Sequence, residues 1–202
     1  STENDTIIVS PGIYLENIII NNHSLSLISS DGPISTILNG NFNGAVININ
    51  APGNHIEING FTIKNGSGEQ LNSGSSRFGG GIISNNTALV LDSLTIENNE
   101  AFAGGGICFY NSYSSETESI LKNSTIQNNT ASEGGGIFII NQSLNILNSY
   151  VNNNGMIPFG SGGGIQALVA NINIESCGIQ NNQSRFGGGL YIGSSNSYIN
   201  KT

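Results

Sequence analysis

Thirteen carboxylate side chains, two arginines, two histidines and two cysteines are the groups in this 202-residue chain able to do chemistry. Eliminative cleavage of a polyuronate takes clustered carboxylates to hold calcium and a base to accept the proton. Hydrolysis of a glycosidic bond takes two or three carboxylates facing it. Only three aspartates occur, Asp5, Asp31 and Asp92, and the last is far from the other two. Glu57, the neighbours Glu97 and Glu100, and Glu133 fall in different repeats, with Glu97 in phase with Lys64 and Gln127, which reads as a solvated face. Arg77 and Arg185 each sit in the same hexapeptide, SRFGGG, so their role is local packing beside Phe78 and Phe186. His23 and His55 have no cysteine or acidic partner at metal spacing. The expectation is no catalytic residue, no metal and no cofactor.

The repeats that position these groups are written in glycine. Triplets stand at Gly79-Gly80-Gly81, Gly104-Gly105-Gly106, Gly134-Gly135-Gly136, Gly162-Gly163-Gly164 and Gly187-Gly188-Gly189, each followed by Ile or Leu. Upstream of each runs a second motif, as in Thr95-Ile96-Glu97-Asn98 and Thr125-Ile126-Gln127-Asn128. Five residues before its inner Ile or Val lies a third apolar position: Ile58, Leu91, Leu121, Ile146 and Ile174. Each period holds three short strand-like runs separated by Gly, Asn and Ser, and none has helical periodicity. A period of this length signals a solenoid. The prediction is an all-β, right-handed parallel β-helix with three strands per coil, rising about 4.8 Å per coil over six or seven coils. It forms one domain over 1–202, with 1–40 as first coil and cap region and 41–202 as repeated coils. The glycine triplet is then a structural corner that needs positive φ, or backbones too close for a Cβ. A phosphate loop would need a following lysine and helix.

Other positions follow from the same phase. Asn39, Asn65, Asn98, Asn128, Asn153 and Asn181 are predicted to stack as an amide ladder along the axis. Ile83, Cys108, Phe138, Gln166 and Tyr191 follow the corner by one residue more than the inward Ile or Leu. Alternation turns them outward as a candidate interface stripe, unless a neighbouring part of the chain covers it. Cys108 and Cys177 lie two rungs apart, about 9.6 Å, beyond the roughly 7 Å a disulfide spans, so both are expected free. Among the Asn-x-Ser/Thr sequons, the turn positions Asn22, Asn85, Asn123, Asn141 and Asn182 are the candidate N-glycosylation sites.

Composition narrows the partners. Charged residues are only 9% of the chain and the net charge is −8, so there is no basic stripe for nucleic acid or an anionic surface. No apolar stretch reaches bilayer length. Ten threonines without a Thr-x-Thr array argue against ice binding.

The motifs NSTIQNNTASEGGGI and DSLTIENNEAFAGGGI resemble the polymorphic outer-membrane-protein repeats of chlamydial-type surface proteins. That resemblance covers roughly residues 60–195, with the third glycine replacing alanine and Phe-x-x-Asn largely replaced by Ile-x-Asn-Asn. The opening DTIIVSPGIYLENIII is similar to the first coil of pectin-lyase-like β-helices. The resemblance implies an extracellular or cell-surface passenger, often adhesive. The reading is a non-catalytic structural or adhesive element of a coat, fibre or filament, with self-association, surface or matrix proteins, or glycans as partners. The closing SSNSYINKT reads as the start of a further coil, so the chain is a piece of a longer one or an end-stacking subunit. The competing readings are a polysaccharide lyase or glycoside hydrolase, and a carbohydrate- or ice-binding module.

Overall fold

Short alternating runs of Ile, Leu and Val, too brief for helices and broken at regular intervals, have one way to bury their apolar faces. They wind into a coil and stack. The computed structural model describes residues 5–71, 74–110, 118–155 and 160–200, and among these all regular structure is strand. One coil runs Ala88–Asp92, Thr95–Glu97, Glu100–Ala103 and Ile107–Tyr110. Its first, second and last strands belong to three long sheets of eight, seven and seven strands, and neighbours within each are parallel. This matches the three-sided coil and the six to seven turns expected. The 1–40 region differs: it holds a whole first coil (Asp5–Val9, Gly12–Leu15, Ile18–Asn21) and two strands of the second. Short turns of two to three residues let that coil close early.

The interior is a set of aliphatic columns. Ile58, Leu91, Leu121, Ile146 and Ile174 are paired in direct register on the first sheet, all fully buried. Ile63, Ile96, Ile126 and Val151 form the equivalent column on the second sheet, and Ile47, Ile82, Ile107, Ile137 and Ile165 on the third. β-Branched side chains suit this pleated, fully packed surface. Each buried Ile contributes about 1.5–3 kcal/mol.

Each bend uses a residue in the left-handed region. Asn98, Asn128, Asn153 and Asn181 hold φ of 55–56° after the second sheet, and Gly79, Gly104, Gly134, Gly162 and Gly187 hold 55–66° before the third. The remaining glycines of each triplet serve the other purpose foreseen. A Cβ on Gly81, Gly106, Gly136 or Gly164 would sit 2.5–2.7 Å from the carbonyl oxygen of the matching glycine one coil on. The corner thus splits its work: the first glycine turns the chain, and the next two let coils touch.

Candidate functional site

The outward stripe is covered. Ile83, Cys108, Phe138 and Gln166 pair in sequence on the third sheet, yet all four are buried; only Tyr191 is exposed. The cover is a fourth sheet, built from Glu69–Gln70, Arg77–Phe78, Glu100–Ala103 and Thr130–Glu133. Ala103 and Phe78 from that sheet pack with Ile83, Cys108 and Phe138 into a second apolar cluster. Phe78 also meets the Phe102 ring edge-on at 6.2 Å. The expected interface stripe is therefore a second core. Its lid is the segment between the Asn-Asn pair and the glycine triplet, whose two- to four-residue strands carry too little alternation to be read.

The amide ladder exists one residue later than expected. Asn129 Nδ2 donates to Asn154 Oδ1, Asn154 Nδ2 to Asn182 Oδ1 and Asn99 Nδ2 to Asn129 Oδ1, each at 3.0 Å. The same amides donate to backbone carbonyls of Ile63, Ile96, Ile126 and Val151 at 2.8–3.1 Å. Asn98, Asn128, Asn153 and Asn181 point outward instead, because the left-handed φ of the first Asn turns only the second one in. Asn65 is also left-handed, and Asn39 sits one place early, opposite Lys64; a single bond joins them, Asn65 Nδ2 to Asn39 Oδ1 at 3.1 Å. The four true ladder positions were visible as the second Asn of four consecutive Asn-Asn pairs.

This shift removes one glycosylation candidate. Asn182 commits its Nδ2, the atom a glycan would occupy, to the Val151 carbonyl at 2.8 Å. Asn22 stays exposed on a left-handed turn. Asn123 is exposed but donates to Asp92, Asn85 accepts from Asn86, and Asn141 holds a left-handed turn.

The carboxylates act as staples between coils. Ser26 donates to Glu57 at 3.3 Å, the Ala45 amide to Glu69 at 3.1 Å, Gln127 to Glu97 at 2.8 Å, and Asn145 to Glu118. Asp92 accepts from Asn123 and Ser93 and pairs with Lys122 at 3.2 Å. Burial pushes the Asp92 pKa up, but those three hydrogen bonds and the Lys122 charge outweigh it and hold it below the ordinary value. Burial raises Glu133, on the fourth sheet. No group of three or more His, Cys, Asp or Glu gathers among the described residues. Arg185 lies 5.1 Å over the Phe186 ring, and Arg77 Nη1 donates to the Gly68 carbonyl at 3.1 Å. Cys108 and Cys177 are both free and buried, and burial drives the Cys108 thiol far up.

Aliphatic side chains also stand bare around the first coil, as a collar. On the first coil, Ile8, Ile13, Leu15 and Ile19 point outward on all three faces, 66–70% exposed. Large aliphatic groups bared together around one coil form the sort of patch that marks an interaction surface. Sequence reading passed over them because "IIVSPGIYLENIII" alternates as any strand pair would.

No family model and no curated protein matches the chain. Two solved structures share its fold. A pectin methylesterase from Yersinia enterocolitica superposes with a TM-score of 0.50 at 10% identity, covering 98% of this chain and 86% of that one. The deglycosylated pectin methylesterase from Aspergillus niger gives 0.53 at 12% identity, covering 98% and 78%. The fold is thus a right-handed parallel β-helix, as in those two structures.

Proposed function

We propose that this chain is a non-catalytic structural or adhesive element, extracellular or at the cell surface, in the manner of the polymorphic outer-membrane-protein repeats its sequence resembles. The collar carries this reading. A second copy seated on the second face would bury Ile13 and Leu15 together, the apolar centre that an oligomeric interface requires. The carboxylates support it too, since five of them are engaged in bonds that tie coil to coil. A lyase or hydrolase would keep such groups free to face a scissile bond.

Sedimentation across a concentration series tests the association. The chain is expected to self-associate, and the double variant Ile13→Lys/Leu15→Lys to stay monomeric with an unchanged circular dichroism spectrum. A wild-type chain that is monomeric at about 100 μM, far above the Kd of a specific oligomer, would sink the reading. So would a variant that assembles equally well. Release of methanol, or of reducing or unsaturated sugar, from pectin would overturn the non-catalytic part.

A further inference from the structure

The outer face of the first sheet, near its last strands, carries a feature that neither packing nor the collar uses. Two adjoining depressions, of about 270 and 300 Å³, share Ser143, Asn171 and Asn196 and form one trough across the corner between the third and first sheets. Three observations converge on it. First, Gln142 and Asn173, which line the two depressions, each hold a buried side-chain carbonyl oxygen with no hydrogen-bond partner. Gln142 is only 2% exposed and its amide is already spent on Ser119 at 2.6 Å and the Thr87 carbonyl. A buried acceptor left without a donor is costly and rare in a finished fold. Second, the Tyr198 ring stands 61% exposed at the edge of the trough, beside Asn173 on the neighbouring strand. Third, Val169 holds φ of 49° and is 56% exposed. The matching corner positions Asn22, Asn86, Asn141 and Ser194 are residues that tolerate this conformation, whereas a β-branched side chain there is strained.

We propose that the trough binds a neutral oligosaccharide built of pyranose rings. The Tyr198 ring and the Val169 isopropyl group present apolar surface to the C–H face of a sugar. The amides of Asn171 and Asn196, joined by an Asn196 Nδ2 to Asn171 Oδ1 bond of 3.0 Å, turn the Asn196 oxygen and their remaining N–H groups to its hydroxyls. A hydroxyl would supply the donor that Asn173, on the outward face beside Tyr198, lacks; the Gln142 amide is held toward Ser119 and Thr87 of the preceding coils. The charge selects the class: among the described residues Glu118 lines the trough and no lysine or arginine does, so a polyuronate is repelled. Strain at Val169 persists because an asparagine there would remove the apolar wall. The site is separate from the collar, so self-association and sugar binding stand or fall independently.

Titration calorimetry with cellohexaose, mannohexaose and hexagalacturonate tests this. At least one neutral hexasaccharide is expected to bind, and hexagalacturonate not to. Tyr198→Ala should weaken binding roughly tenfold, the upper reach of an aromatic contact, with melting unchanged. Val169→Asn should raise the melting temperature by about 2–4 °C while weakening the same sugar. That opposition is not expected of a residue with a purely structural role. Collar variant Ile13→Lys/Leu15→Lys should bind sugar as wild type does. No heat with either neutral sugar would overturn the proposal and leave ordered water as the partner of the two acceptors. Tighter binding of the uronate, or affinity indifferent to Tyr198→Ala, would overturn it as well.

Discussion

One column of side chains on the third sheet reads Ile19, Asn48, Ile83, Cys108, Phe138, Gln166, Tyr191 from the first coil to the last strand pair. In its middle the column is buried; at its two ends Ile19 and Tyr191 are bare. Nothing in strand geometry distinguishes these positions, since all point the same way from the same sheet. The difference is the fourth sheet. Middle coils insert about four residues between the Asn-Asn pair and the glycine triplet, and those residues fold over the column. The first coil turns from Leu15 to Ile18 through two residues and has nothing to fold over. At the first coil, then, the length of the neighbouring corner leaves an outward apolar residue bare. Tyr191 is bare although residues 183–186 make a corner as long as in the middle coils, because no strand of the fourth sheet lies there.

If the middle coils are tied at their corners and the first coil is not, glycine replacements should separate them most sharply. Gly106→Ala puts a Cβ 2.6 Å from the Gly136 oxygen, which cannot retreat while it accepts from Gly106 and Ile107 at 3.1 and 2.9 Å. Chemical denaturation should show a loss of about 3 kcal/mol or more. Gly12→Ala, in the first coil, meets only the movable Tyr14 ring at 3.3 Å, and should change stability by less than about 0.5 kcal/mol. Equal losses at the two sites would erase the distinction.

Within the middle coils, the two halves of one Asn-Asn pair sharpen it further. Asn129→Ala strips the Asn99 amide and side chain of a shared acceptor, and leaves the Ile96 carbonyl without its donor. A cost of about 2–3 kcal/mol is expected. Asn128→Ala removes only a residue suited to φ of 55°, for about 1 kcal/mol, and Asn128→Gly should be close to neutral. A ladder in the phase first expected would give the reverse order.

That reversal marks where sequence reading ran out. The coil was legible because period, triplet and aliphatic columns each repeat five times and agree. The corner roles of glycine followed from two properties of the residue itself. The ladder was displaced because Asn98 and Asn99 are the same residue type, and only φ decides which one faces in. Asn182 was misread as a glycan site for the same reason. The fourth sheet escaped because Glu100–Ala103 and Thr130–Glu133 are four residues long and share no alternating apolar pattern, which is how loops also look. The unpaired carbonyls of Gln142 and Asn173 have no signature in a linear chain.

The lid can be opened directly. Phe78→Ala removes its main ring from the second cluster and should cost about 2 kcal/mol. Cys108, whose thiol is held protonated by burial and inert in the native state, should then react measurably faster with a thiol reagent under native conditions. Cys177, which donates to the Ile146 and Glu175 carbonyls inside another corner, should not change. Acceleration at both cysteines would mean global loosening, and would remove the fourth sheet as a local cover.

The smallest effect comes from the charge that lid carries. Burial holds the Glu133 pKa above its unfolded value. Stability at such a site is full below the unfolded pKa and declines as pH rises through the folded one. Glu133→Gln, neutral throughout, escapes the decline. The variant should therefore be slightly more stable than wild type at pH 7, with the gain shrinking to nothing below about pH 4. Part of the group faces water, and screening keeps the gain small. A gain at Glu133 that survives in acid would assign the effect to packing rather than charge, and would make the lid an ordinary strand edge, not a partly desolvated cover.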